Sequence, residues 1–261
     1  NPVIGYIGRH PEKVLSEDVE YKTKKTNGRE ILLIQVGERE IPLVPMNESP
    51  LSDAVAAYVG GMVDAVLRGK MEEIEHLTMN GGNSFDKRNS HSFPLEPKGL
   101  NFKNVTLGTI GVGDVGLKVA NMFDKNGAKV LYTDTGKRPK KLNGGIKRVQ
   151  GIEKILHRPV SIDGPYVVSI HLPGGVRVSL EEAEGIDILV NTSSGSNIDE
   201  GELMRALDEG RIKYAILDVF KREMRIFPEN EMSKHTKDPR CIMTSHIAYN
   251  QPEAIHKTLQ T

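Results

Sequence analysis

The chain has 261 residues, with 35 lysines and arginines balanced by 35 aspartates and glutamates. That length suits one large domain or two modest ones. No basic tract is dense enough to suggest nucleic acid, and no apolar run reaches the roughly eighteen residues of a membrane span. A single cysteine, Cys241, excludes a disulfide framework within the chain and fits a reducing cytoplasm. No segment resembles a signal peptide. The sequence opens on Asn1 and stops at Thr261 within a helical pattern, so either end is expected to be incomplete.

The first forty-odd residues offer three short apolar runs, at 3–7, 31–36 and 41–45. Prolines 42 and 45 place the third near a sheet edge, because proline cannot donate to a ladder. Together they hold too little apolar area to stand alone. Ser49-Pro50 then starts a helix, serine as N-cap and proline at the first helical position. Leu51, Val55, Tyr58, Val59, Met62, Val63, Val66 and Leu67 recur at helical spacing up to Arg68-Gly69. So broad a stripe implies burial on more than one side, against a domain or a second subunit. Residues 80–97 read as a loop.

Residues 105–110 alternate as a buried strand. The turn Gly111-Val112-Gly113-Asp114-Val115-Gly116 follows, then a helical pattern closed by Asn126-Gly127, then a second strand ending at Asp134. Strand, Gly-x-Gly-x-x-Gly, helix, strand and an acid about twenty residues on form the βαβ dinucleotide fingerprint in its required context. Gly111 permits the tight turn, Gly113 lets the backbone approach a pyrophosphate, and Gly116 lets helix and strand pack closely. The phosphates are expected on the free N–H groups of the helix N-terminus, lined by Asp114 and Val115. Asp134 is expected to accept from the adenosine ribose hydroxyls and to repel a 2′-phosphate, which favours NAD over NADP. Asp114 is the anomaly, since a carboxylate beside a pyrophosphate is unfavourable unless it is paired or turned away. The bland reading of the stretch is a βαβ unit that keeps its glycines for packing alone. The cluster Lys137-Arg138-Pro139-Lys140-Lys141 reads as a solvated loop.

Strands then alternate with helices: a short helix at 152–156, strands at 166–170 and 186–190, a helix at 199–209, and strands at 214–217 and 241–244. Such alternation predicts an α/β fold with a doubly wound parallel sheet. Polar residues gather after each strand: His171 with Leu172 and Pro173, Asn191 through Ser194, Asp218 and His246. In such sheets the carboxyl ends of the strands form the ligand crevice, so these side chains should converge there.

The segments SIHLP, LVNTSSGSNIDEGELMRALDEGRI, AILDVFKRE and TSHIAYNQPEA, in this order, resemble the D-isomer-specific 2-hydroxyacid dehydrogenase family. The resemblance runs over roughly residues 45 to 261. It implies a Rossmann domain at 48–248, a reduced substrate domain at 1–47 with 249–261 packing back on it, NAD, and a homodimer. It also implies hydride transfer between a small 2-oxo acid and a D-2-hydroxy acid. Carried over by motif, His246 is the acid that protonates the carbonyl oxygen, and Glu223 is the carboxylate that orients it and raises its pKa. Asp218 falls near the nicotinamide carboxamide, and Thr192 and the segment 171–173 line the cofactor.

Four departures from the family pattern stand out. Ser194 occupies the place of the arginine that binds the substrate carboxylate, a loss on the order of 3 kcal/mol in transition-state stabilisation unless Arg222 or Arg39 substitutes. The N-terminal part is short, and so is the segment between Pro173 and Ile186. Ala57 stands where the family usually has glutamate.

The alternative is a non-catalytic NAD(H)-binding protein on the same scaffold. On the plainer reading His246 is a strand-end histidine bonded to backbone, and Glu223 is a solvated carboxylate in a charged loop. Ser193 and Ser194 lack a nucleophile elbow. The remaining histidines, 10, 76, 91, 157, 235 and 256, lack metal-ligand spacing, and no metal is expected.

Overall fold

The computed structural model describes residues 21–26, 29–36, 39–43, 50–78, 99–136, 139, 141–221, 235 and 237–249, with backbone alone for 21–43, 50 and 76. Strands β1 (Tyr21–Thr26), β2 (Arg29–Val36) and β3 (Arg39–Leu43) form an antiparallel sheet in that order. β2 and β3 coincide with two of the expected strands. β1 does not, because Tyr-Lys-Thr-Lys-Lys-Thr carries no apolar alternation. Its signal was the Asn27-Gly28 dipeptide between the paired residues Thr26 and Arg29, a pair that favours two-residue hairpin loops. The run at 3–7 and Ser49 lie outside the described residues.

Helix α1 (Pro50–Leu67) is buried within this chain over nearly its whole first two-thirds, from Leu51 to Val63, with Asp53 exposed. It packs against α3 (Asp114–Lys125). A Cβ added at Gly60 would stand 2.8 Å from both Sδ and Cε of Met122, so the glycine is what lets the two helices approach. Lys118 of α3 and Asp53 of α1 pair at 3.0 Å. The short helix α2 (Met71–Ile74) and a 3₁₀ turn at Glu75–Leu77 lead to Thr78, which bridges antiparallel to Thr244.

The remaining strands are β4 (Thr106–Ile110), β5 (Lys129–Thr133), β6 (Lys147–Arg148), β7 (Tyr166–Ile170), β8 (Ile186–Asn191), β9 (Ile212–Leu217) and β10 (Cys241–Met243). They form one seven-stranded parallel sheet ordered β10-β9-β8-β7-β4-β5-β6. From β4 the chain winds outward through β5 and β6, then crosses to β7 and winds the other way. The gap between β4 and β7 is therefore the topological switch point, where doubly wound sheets bind ligands. β6 escaped the sequence reading because both of its residues are exposed and carry no pattern.

Successive strand residues face opposite ways. Val167, Ile188, Ile216 and Ile242 join α1 and α3 in one core, around the stacked rings of Phe102 and Phe123. Val168, Leu189, Ala215 and Met243 join α4 (Glu153–Leu156) and α5 (Glu200–Asp208) in the other. Asp199 caps α5 through the N–H groups of Gly201 and Glu202.

Candidate functional site

Strand register sets up the site. Thr133, Ile110, Ile170, Asn191, Leu217 and Met243 stand side by side across the sheet. The next residue in each strand therefore emerges at the same edge: Asp134, Gly111, His171, Thr192, Asp218 and Thr244. At about 4.8 Å per strand, the row from β4 to β10 runs roughly 19 Å.

The three fingerprint glycines differ in their surroundings. Gly111 has φ +90°, and a Cβ there would meet the His171 carbonyl oxygen at 2.4 Å. At Gly116 a Cβ would meet the Gly111 carbonyl oxygen at 2.2 Å. At Gly113 it would meet nothing within 4 Å among the described residues. Gly113 is also the N-cap of α3 and provides no side-chain cap, which leaves first-turn N–H groups for an anion. The helix begins at Asp114, with Val115 partly buried beside it.

Asp134 ends β5 against this loop. Its Oδ2 accepts from Val112 N at 2.8 Å and its Oδ1 from Gly136 N at 2.7 Å, and each oxygen keeps a further lone pair for a hydroxyl donor.

His171 is buried, with Nε2 2.8 Å from the Ser169 hydroxyl. Burial lowers its pKa from 6.5 to about 3, so the ring is neutral. The unfolded chain takes the proton first, so the stability His171 contributes is complete above pH 6.5 and is lost as pH falls towards 3. Stability should decline by roughly 1.4 kcal/mol per pH unit within that window. Melting temperatures of the parent and of His171→Gln across pH should show the slope only in the parent.

After β7, the residues Leu172 and Pro173 lead into a loop fastened to its neighbours. Asn197 Nδ2 donates to the carbonyls of Pro173 and Val176 at 2.8 and 2.7 Å. The buried Glu202 of α5 accepts from Leu180 N at 2.9 Å and pairs with Arg177. After β8, Asn191 Nδ2 donates to the Ser194 carbonyl at 2.8 Å. Ser194 caps the 3₁₀ turn Gly195–Asn197, its hydroxyl 2.9 Å from that of Ser196 and accepting from Ser196 N. Ser194 is thus engaged in holding its own loop.

After β9, the carboxylate of Asp218 is 1 % exposed. It accepts from Thr244 Oγ1 at 2.5 Å, Ile247 N at 2.8 Å and Ala248 N at 2.9 Å. Burial pushes its pKa up, and the facing charge of His246, with these bonds, pulls it part of the way back. Thr244 gives its hydroxyl hydrogen to Asp218, so the buried Tyr58 of α1 donates to Thr244 at 2.7 Å. No sequence signal marked Tyr58, which looked like one more member of an apolar stripe. His246 is half-buried in the left-handed region at φ +57°, its ring edge-on to Tyr249 at 5.3 Å. Glu223 and Arg222 lie outside the described residues, as does the side chain of Arg39.

These residues fit a dinucleotide. Asp114 Oδ2, His171 Nδ1 and Thr192 Oγ1 are buried polar atoms with no hydrogen-bond partner among the described residues, and they lie along the same edge as the open space over Gly113. Among the described residues no cluster of His, Cys, Asp or Glu could hold a metal ion, and no helix is long and apolar enough to cross a membrane.

A doubly wound parallel sheet with a glycine cradle at its switch point defines a Rossmann dinucleotide-binding domain. Residues 76–248 match the model of the D-isomer specific 2-hydroxyacid dehydrogenase, NAD binding domain. The chain belongs to that family, and this part of it is the NAD-binding domain. It is 28 % identical over 211 residues to a glyoxylate reductase from Thermofilum pendens, covering 78 % of this chain and 58 % of the relative. It is 24 % identical over 190 residues to a D-lactate dehydrogenase from Streptococcus agalactiae, covering 67 % and 56 %. The crystal structure of D-lactate dehydrogenase with NAD⁺ from Lactobacillus jensenii superposes with a TM-score of 0.58 at 25 % identity, covering 84 % of this chain and 64 % of that one. The chain thus spans little more than half the length of these curated relatives.

Proposed function

We propose that the protein is an NAD-dependent oxidoreductase interconverting a small 2-oxo acid, of the size of glyoxylate, pyruvate or hydroxypyruvate, and a D-2-hydroxy acid, with activity weakened or altered by the loss of the arginine. The observation that carries this reading is the register of the sheet, which lines up Gly111, His171, Thr192, Asp218 and Thr244 on one edge, with His246 two residues further on. Bound NADH supplies the hydride that goes to the carbonyl carbon. His246 donates the proton to the carbonyl oxygen, and Asp218, through its bonds to Ile247 and Ala248, holds the backbone that presents the imidazole. Thr192, His171, Leu172 and Pro173 line the cofactor, Asp134 receives its adenosine ribose, and Glu223 orients His246. Residues 1–47, with 249–261, form the reduced substrate domain, and two copies assemble as a homodimer.

His246→Ala should lose turnover by about a hundredfold or more, the contribution of general acid catalysis, while NADH affinity changes little. NADH oxidation across a panel of 2-oxo acids, beside a fluorescence titration of NADH, checks both. Equal turnover in variant and parent would sink the assignment.

A non-catalytic NAD(H)-binding protein is the second reading. It is favoured by Ser194, whose hydroxyl is engaged with Ser196 and supplies no charge for a carboxylate. NADH binding with no oxidation by any 2-oxo acid would support it.

A further inference from the structure

Asp114 is the first residue of α3, immediately after the open position at Gly113. Its Oδ2 is buried with no hydrogen-bond partner, and no ion pair involves it among the described residues. The residue one turn along that would ordinarily neutralise it is Lys118, at i+4. Lys118 instead holds its ammonium 3.0 Å from Asp53 on α1. Across the loop, His171 is buried and neutral, with its own Nδ1 unpartnered, and brings no compensating charge. A carboxylate is welcome at a helix N-terminus because it meets the positive end of the helix dipole. The diphosphate of a dinucleotide seeks the same end. The two therefore compete for one field, and like charges side by side repel.

We propose that Asp114 sets the strength of dinucleotide binding: its charge opposes the diphosphate over Gly113, so the domain holds NAD(H) more loosely than its glycine cradle alone would. The function of such a residue is rapid cofactor exchange, which matters when release limits turnover. The proposal rests on NAD binding by this domain and not on the reaction, so failure to oxidise NADH leaves it standing.

The experiment is a titration of NADH, ADP-ribose and adenosine against the parent, Asp114→Asn and Asp114→Ser. Both replacements remove the charge and keep a small polar side chain at the first helical position. NADH and ADP-ribose should bind on the order of tenfold more tightly to each variant, and adenosine, which lacks phosphate, should bind as before. The gain should narrow as NaCl is raised. The variants should also melt slightly lower, because the helix loses a favourable charge, so affinity and stability move in opposite directions. Equal or weaker NADH binding by both variants would overturn the proposal. So would a gain for adenosine as large as that for ADP-ribose, since this would mean a general change in the pocket.

Discussion

Alanine at Gly116 is expected to destabilise the protein and to abolish dinucleotide binding, whereas alanine at Gly113 should weaken binding strongly and leave stability almost untouched. At Gly116 the new methyl group would sit 2.2 Å from the Gly111 carbonyl oxygen and 3.0 Å from His171 Cβ. Backbone must move to relieve that, so α3 is driven from β4. The expected cost is roughly 3 kcal/mol, or about 6–12 °C in melting temperature for a chain of this size. At Gly113 the methyl meets no atom of the described residues within 4 Å, and φ −63° is an ordinary value for alanine. Its only consequence is to occupy space over the first-turn N–H groups. NADH affinity should fall by about a hundredfold or more, since phosphates can no longer reach the hydrogen bonds that hold them. Thermal melts of both variants, each with NADH titration, separate the two outcomes. A Gly113→Ala protein that binds NADH like the parent would mean that nothing approaches this loop.

Asp218→Asn should be among the most damaging single changes in the domain. The carboxylate offers acceptors to Thr244, Ile247 and Ala248 at once. An amide presents one oxygen and turns its NH₂ towards a donor, leaving a buried N–H or hydroxyl unsatisfied. The expected loss is about 3 kcal/mol. The local effect is more specific. His246 lies in the left-handed region, uncommon for any residue other than glycine, and the two backbone bonds directly after it fix that conformation. Turnover should therefore fall together with stability, while NADH affinity, set mainly at the α3 end of the row, changes less. Thr244→Val, which removes one hydroxyl and keeps both backbone bonds, should cost about 1–2 kcal/mol. Denaturant melts and steady-state kinetics of the two variants provide the comparison.

What was legible in the sequence follows from physical necessity. Gly111 and Gly116 could be read because no other residue fits a left-handed turn or so close an approach of helix and strand. The central strands could be read because residues such as Val167, Val168, Ile188 and Leu189 must be apolar on both faces of a covered sheet. The polar residue that ends each strand then marked the edge where they meet. β6 was illegible for the opposite reason, since it carries no apolar pattern, and β1, which carries none either, was marked only by the Asn27-Gly28 dipeptide that follows it. Tyr58 shows a different limit. Its spacing gives its burial but not its hydroxyl partner, Thr244, which lies 186 residues away. The strand-end rule put Asp218 at the ligand edge and the resemblance gave it the nicotinamide carboxamide, and only coordinates show the three bonds that fasten the segment after β10. Glu202 carries no signal in the sequence, and it is buried because it accepts from Leu180 N and pairs with Arg177 beneath the loop.

The most direct measurement is isotopic: NADH carrying deuterium at the transferable position of the dihydronicotinamide, incubated with the protein and a small 2-oxo acid. Deuterium at C2 of a D-2-hydroxy acid, formed by the parent and lost in His246→Ala, is the expected result. Saturating NADH binding with no label in any product would contradict a dehydrogenase.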